Sequence, residues 1–258
     1  MEKNKIHLIG INGRAGSGKD LVTSIIQYLT QLKNIDPAID KDGYWSNMSF
    51  EDFQKDKHLT MFSEWKNKKF AEPLKKIVCI ITGCTMKQLE DQEFKKTLVP
   101  FSCYKLNYAT EFGLFNKLFL STKEAQEYVD SLEEVYYPTV DKFHMTYRQF
   151  LQIVGTDLFR DLTHPQIWCL ARFANYEEGD DWVLSDMRFI NEADAIKSRG
   201  GITIRINRLF KSPLDLGSLH ESETALDNYQ FDEIIENTGS KEELIEKVKQ
   251  LLIKYNIL

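Results

Sequence analysis

The chain has no cysteine pair at C-x-x-C spacing, no histidines at metal-ligand spacing and no serine-histidine-acid order. These absences argue against a zinc site, a disulfide framework and a hydrolytic triad. Its four cysteines, Cys79, Cys84, Cys103 and Cys169, are scattered, as expected in a reducing cytoplasm. Positive charge is also short: 33 Lys and Arg against 39 Asp and Glu leave a net charge of -6, with no basic stripe. Nucleic acid is therefore not an expected partner. No apolar run reaches the length of a signal peptide or a membrane span, so no membrane partner is expected either. Internal repeats and low-complexity tracts are missing. What is there, 258 residues with 42% hydrophobic content, suits one large globular domain.

Lys5 to Ile11, KIHLIGI, is short, apolar and bounded by glycine, the pattern of a buried central strand. From Gly18 the period becomes helical, with Leu21, Val22, Ile25, Ile26 and Leu29 on one face. Residues 34–66 read as an irregular insertion with a DKDG turn. KKFA at Lys68 to Ala71 reads as a second short strand, and Pro73 suits the first turn of the helix after it. Residues 87–142, charged and aromatic with two weak helical patterns, predict a mostly helical cap or lid. YRQFLQIVGTDLF then places Phe150, Leu151, Val154 and Leu158 at helical spacing. DDWVLSD reads as a buried strand ending in an acid, Ile190 to Lys197 as a helix, and ITIRI and DEIIEN as strands. Ser240 and Glu243 have the spacing of a capping box. Strands alternating with helices predict an α/β fold with a parallel sheet of about five strands.

The strongest local signal is GINGRAGSGKD. Gly13, Arg14, Ala15, Gly16, Ser17, Gly18, Lys19 and Asp20 nearly spell the phosphate-binding loop G-x-x-x-x-G-K-[ST], in the required strand-turn-helix order. Backbone N–H groups and the helix dipole would wrap a nucleotide's phosphates, and Lys19 would reach the transferred one. Asp20 replaces the magnesium-binding hydroxyl, and a carboxylate is itself a magnesium ligand. The bland alternatives are a glycine-rich turn that binds nothing and an acid that only favours the helix dipole. WVLSDMR puts Asp186 and Arg188 at a strand's carboxyl end, where ligands bind in such sheets. A surface Asp-Arg pair is the plain alternative. Lys75, Lys95, Arg148 and Arg160 are further candidates for neutralising phosphate.

With GINGRAGSGKD, KKFAEPLKKI, TGCTMKQLEDQEFKK, YRQFLQIVGTDLFRDLTHPQIW, VLSDMRFINEADAI, GGITIRINR, HESETAL and IIENTGSKEELIEKVKQLL, the chain resembles the deoxynucleoside monophosphate kinases of bacteriophages, within the P-loop nucleoside monophosphate kinase superfamily. The resemblance implies a single kinase domain over 1–258, phage-encoded and acting in the host cytoplasm. The implied activity moves the γ-phosphoryl group of ATP to a deoxynucleoside monophosphate, with Mg2+, in DNA precursor synthesis. In that family GKD is normal, so Asp20 is a trait and a candidate metal ligand. By motif position Lys19 and the loop hold ATP. Arg148, Gly155, Thr156, Trp168, Asp186, Arg188 and Glu192 line the monophosphate site, with Lys75 and Lys95 also on its phosphate; Lys19, Arg148, Asp186 and Arg188 carry catalysis. Lys95 stands where the family pattern can carry arginine.

Two other readings share the loop. One is another small-molecule P-loop kinase, such as one acting on dephospho-coenzyme A. The other is a nucleotide-dependent regulatory protein, although no N-K-x-D motif follows a late strand. Exposed aromatics in the insertions make a homodimer a reasonable expectation, and closure of the 87–142 segment would exclude water.

Overall fold

Strand β1 (Leu8–Asn12) is buried along its whole length because it has helices on both faces. Ile9 and Ile11 join a core with Val22, Ile25 and Ile26, whereas Leu8 packs with Ile196 and Ala193 on the opposite face. Ile196 packs directly over Gly10, where a Cβ would lie 2.4 Å from Ile196 Cδ1. The computed structural model describes residues 5–35, 40, 43, 47–56, 59, 63–110, 113–119, 121–132, 136–208 and 224–258. They divide into two compact units, Met1–Glu72 with Trp168–Leu258, and Pro73–Ile167.

In the first unit, β1 leads through the glycine-rich loop into α1 (Lys19–Lys33). The short helix α2 (Phe50–Lys55) lies within the stretch expected to be irregular. Ser49 caps it through the Asp52 amide, and Phe50 and Phe53 pack on Tyr28 of α1. Its six residues are too few to show a clear period, which is why it escapes a sequence reading. Strand β2 is Lys66–Lys68, two residues ahead of the expected KKFA, because Phe70 turns into the core and α3 (Ala71–Thr82) already starts at Ala71. After α7 (Ile167–Phe173) come β6 (Trp182–Leu184), α8 (Ile190–Lys197), β7 (Ile202–Asn207), β8 (Glu233–Glu236) and α9 (Lys241–Lys254). All pairings are parallel, in the order β2-β6-β1-β7-β8. The expected five-stranded parallel sheet is present. The connections leaving β1 and β6 run to opposite sides, so their carboxyl ends form the switch point at which such sheets bind ligands. Of HESETAL, His220 to Glu223 lie outside the described residues.

The second unit corrects the expectation of a mostly helical insertion. Strand β3 (Cys103–Thr110) lies between β4 (Gly113–Phe119) and β5 (Tyr136–Phe143) in an antiparallel sheet, accompanied by α4 (Met86–Glu90) and α5 (Thr122–Asp130). Aromatic residues favour strands, but interspersed with charge and without strict alternation they imitate a weak helical period. Helix α6 (Tyr147–Gln152), with Thr146 and Gln149 forming a capping box, widens into a π-helical stretch over Ile153–Asp161. Phe150 and Val154 are buried, but the wider turns leave Leu158 46% exposed, off the face that an α-helical period assigns to it. These helices enclose a core of Val78, Leu89, Val99, Met145, Phe150 and Val154.

Candidate active site

The loop at the end of β1 has the backbone its glycines require. Gly16 has φ 74° and Gly18 φ 102°, both left-handed, and Ser17 N donates to Arg14 O at 3.1 Å to close the turn. Asn237 Nδ2 donates to Ser17 O at 2.8 Å, so close to the loop that a Cβ on Gly18 would lie 2.5 Å from it. Helix α1 opens at Lys19 without a side-chain cap, the arrangement in which a helix N-terminus receives an anion. Lys19 Nζ lies back over the loop and donates to Gly13 O at 2.6 Å and Arg14 O at 2.9 Å. Beneath it the Ser17 hydroxyl is buried without a hydrogen-bond partner among the described residues.

Two carboxylates stand at the switch point. Asp20, in the first turn of α1, is 79% exposed, and Lys69 Nζ lies 3.6 Å from its Oδ1. Asp186, just past β6, accepts Phe70 N at 2.7 Å and Ala71 N at 3.1 Å, so it fastens the start of α3. Burial pushes its carboxyl above the usual range, against the pull of those two amides, Arg188 and Lys69. Arg188 is exposed. Glu192 is only 5% exposed and accepts the amides of Arg188 and Phe189, at 2.6 and 3.1 Å, which makes it the N-terminal clasp of α8. Trp168 is 6% exposed, in α7.

Among the candidates in the Pro73–Ile167 unit, Lys75 and Arg148 reach one polar stretch, Glu90 to Gln92, and Lys95 follows it in the chain. Lys75 pairs with Glu90 at 2.6 Å, Arg148 Nη2 donates to Gln92 Oε1 at 2.9 Å, and Lys95 N donates to Asp91 O at 3.3 Å. Gly155 is buried in the π-helical stretch, where a Cβ would meet Leu74 Cδ2 at 2.8 Å. Thr156 follows it.

Arg205, Asn207, Arg208 and Glu236 also stand at the loop and were not singled out from sequence. A cavity of about 420 Å³ is lined by Arg14 and Ser17 of the loop, Arg205, Asn207 and Arg208 of the β7 end, and Glu236 of β8. Arg208 Nη1 donates to Gly16 O at 3.1 Å. Arg205 pairs with Asp227 at 2.6 Å, and Arg14 is 3.8 Å from the same carboxylate. ITIRINR reads as a strand, and nothing in its spacing announces that its arginines end beside the loop.

The deoxynucleotide monophosphate kinase family model matches residues 7–248, from the start of β1 into α9. The chain belongs to that family. It is 26% identical over 204 residues to the deoxynucleoside-5'-monophosphate kinase of Escherichia phage T5, an alignment covering 74% of this chain and 71% of that protein. Against the deoxynucleotide monophosphate kinase of Escherichia phage RB69 it is 28% identical over 110 residues, 41% of this chain and 44% of the relative. Membership of a kinase family gives the phosphate loop its meaning: a nucleotide phosphoryl donor binds to this chain.

Proposed function

We propose that the chain transfers the γ-phosphoryl group of ATP to a deoxynucleoside 5′-monophosphate, giving ADP and the diphosphate used in DNA precursor synthesis. The observation that carries this reading is the loop: an uncapped α1 with Lys19 poised over it, at the carboxyl end of the central strand, in a chain of this family. It acts as one kinase domain with insertions at 34–66 and 87–142.

The acceptor is already an anionic phosphate oxygen, so no covalent enzyme intermediate and no strong base are needed. That oxygen forms the new P–O bond in line as the bond to the β-phosphate oxygen breaks, and positioning and charge supply the catalysis. Lys19 and the loop amides hold the donor. Lys75, Lys95, Arg148 and Arg188 neutralise charge; Gly155, Thr156 and Trp168 position the acceptor; Asp186 and Glu192 hold the backbone that presents it. Asp20 fits Mg2+, since it offers a hard, exposed carboxylate oxygen beside the phosphate loop, and Mg2+ takes one or two carboxylates together with phosphate oxygens. Bound there, Mg2+ would supply positive charge to offset that of the phosphates.

The test is a coupled ADP-release assay with ATP and Mg2+, offering dAMP, dCMP, dGMP, dTMP and hydroxymethyl-dCMP, with Lys19→Ala as control. Acceptor-dependent release that falls by about 10²-fold or more in the variant is expected. Release indifferent to every acceptor would overturn the reading in favour of another acceptor or a nucleotide switch. Light scattering decides between monomer and the homodimer proposed from the aromatic insertions. Among the described residues, no helix is long and apolar enough to cross a membrane.

A further inference from the structure

Lys69 lies beside both carboxylates of the switch point. Its Nζ is 3.6 Å from Asp20 Oδ1, and its charge reaches Asp186, whose carboxyl it pulls downward. The backbone that carries it is pinned on both sides. Phe70 N and Ala71 N donate to Asp186, while Lys69 O accepts Glu72 N at 3.1 Å and Arg172 Nη1 at 3.4 Å. Arg172 is itself buried, 2.6 Å from Glu72 and 5.3 Å from the Trp182 ring centroid. A rigid base thus presents a flexible, one-third exposed ammonium to the residue after Lys19. An ion pair with so exposed a partner contributes little to stability, so fold stability does not account for the arrangement. The chemistry of the loop does. Asp20 adds a negative charge where a nucleotide's phosphates must sit, and a mobile cation next to it offsets that charge.

We propose that Lys69 is a further catalytic residue of the phosphoryl-transfer site: it neutralises Asp20 while the loop is empty and moves onto the phosphate oxygens of the bound nucleotide once Asp20 serves the metal. This rests on the kinase reading above. Lys69 forms no covalent bond. It donates N–H to phosphate oxygen, most strongly as charge shifts between the leaving and entering oxygens.

The experiment compares wild type, Lys69→Met and Lys69→Arg in two measurements. Acceptor-dependent ADP release should fall by about 10- to 100-fold in Lys69→Met and recover most of the loss in Lys69→Arg. Affinity for Mn2+, read by electron paramagnetic resonance with a non-hydrolysable ATP analogue, should stay level or tighten in Lys69→Met, because a competing ammonium has left Asp20. Losing turnover while keeping the metal is the signature of a phosphate-directed cation. Turnover within about twofold of wild type in Lys69→Met overturns the role, as does parallel loss of turnover, Mn2+ affinity and melting temperature, which marks a structural lysine. A wild-type chain without acceptor-dependent release sinks the kinase reading and this role together; an active wild type with an equally active Lys69→Met sinks only Lys69.

Discussion

Asp186 satisfies two backbone amides with one carboxylate, which makes it structural as well as a candidate for chemistry. Asp186→Ala leaves both amides at the head of α3 without that acceptor, and relief of the buried charge offsets only part of the loss. A destabilisation of about 2 kcal/mol is expected by urea denaturation, with loss of activity. Its carboxyl is raised in the fold, so its share of stability improves as pH falls through the folded pKa. Asp232 has the opposite sign. Burial pushes it up, but Lys197 and the amide and hydroxyl of Thr203 together hold it below the usual range. Its contribution is therefore present above the ordinary carboxylate pKa of about 3.9 and is lost as pH falls through the lower folded value. Melting temperature against pH should show a shallower acid limb in Asp232→Asn than in wild type. At this scale the loop residues and Lys19 were legible, because the motif is contiguous. Glu192 was legible only as a site residue: its clasp of α8 begins at Phe189, without the Ser or Thr that advertises a capping box.

Elements here are set by their ends as much as by their faces. Gly18 joins the loop to α1 in a left-handed conformation and against Asn237, so Gly18→Ala meets both backbone strain and a clash. Gly83, with φ 74° and nothing within 4 Å of an added Cβ, meets strain alone. Gly83→Ala should cost about 1–2 kcal/mol, whereas Gly18→Ala should cost more and also weaken nucleotide binding, as calorimetry will resolve. In α6, Thr146→Ala breaks a reciprocal cap with Gln149 and should cost about 1 kcal/mol by chemical denaturation. Helix α1, with its long apolar face, follows directly from periodicity, and the buried strand β1 from its short apolar run bounded by glycine. The strands β3, β4 and β5 did not, because they lack strict alternation.

At the scale of the whole molecule, a ligand that binds only the native chain stabilises it by mass action. ATP with Mg2+ at about 100 times its dissociation constant should add about 2.7 kcal/mol, seen as a rise in melting temperature of wild type that Lys19→Ala abolishes. A net charge of -6 without a basic stripe predicts no shift of duplex DNA at physiological salt, checked by fluorescence anisotropy.

What the sequence by itself determined is local: the phosphate loop, the order of strand and helix, and the parallel α/β class. Dihedral freedom at glycine, helix dipoles and hydrophobic period all act over a few residues. What only the tertiary structure decided is which distant groups meet. Asp186 fastens Phe70 across 116 residues of chain, and Lys69 faces Asp20, because the order β2-β6-β1-β7-β8 brings the carboxyl ends of β2, β6 and β1 side by side. No short-range pattern encodes that adjacency; it arises from burying both faces of one sheet at once.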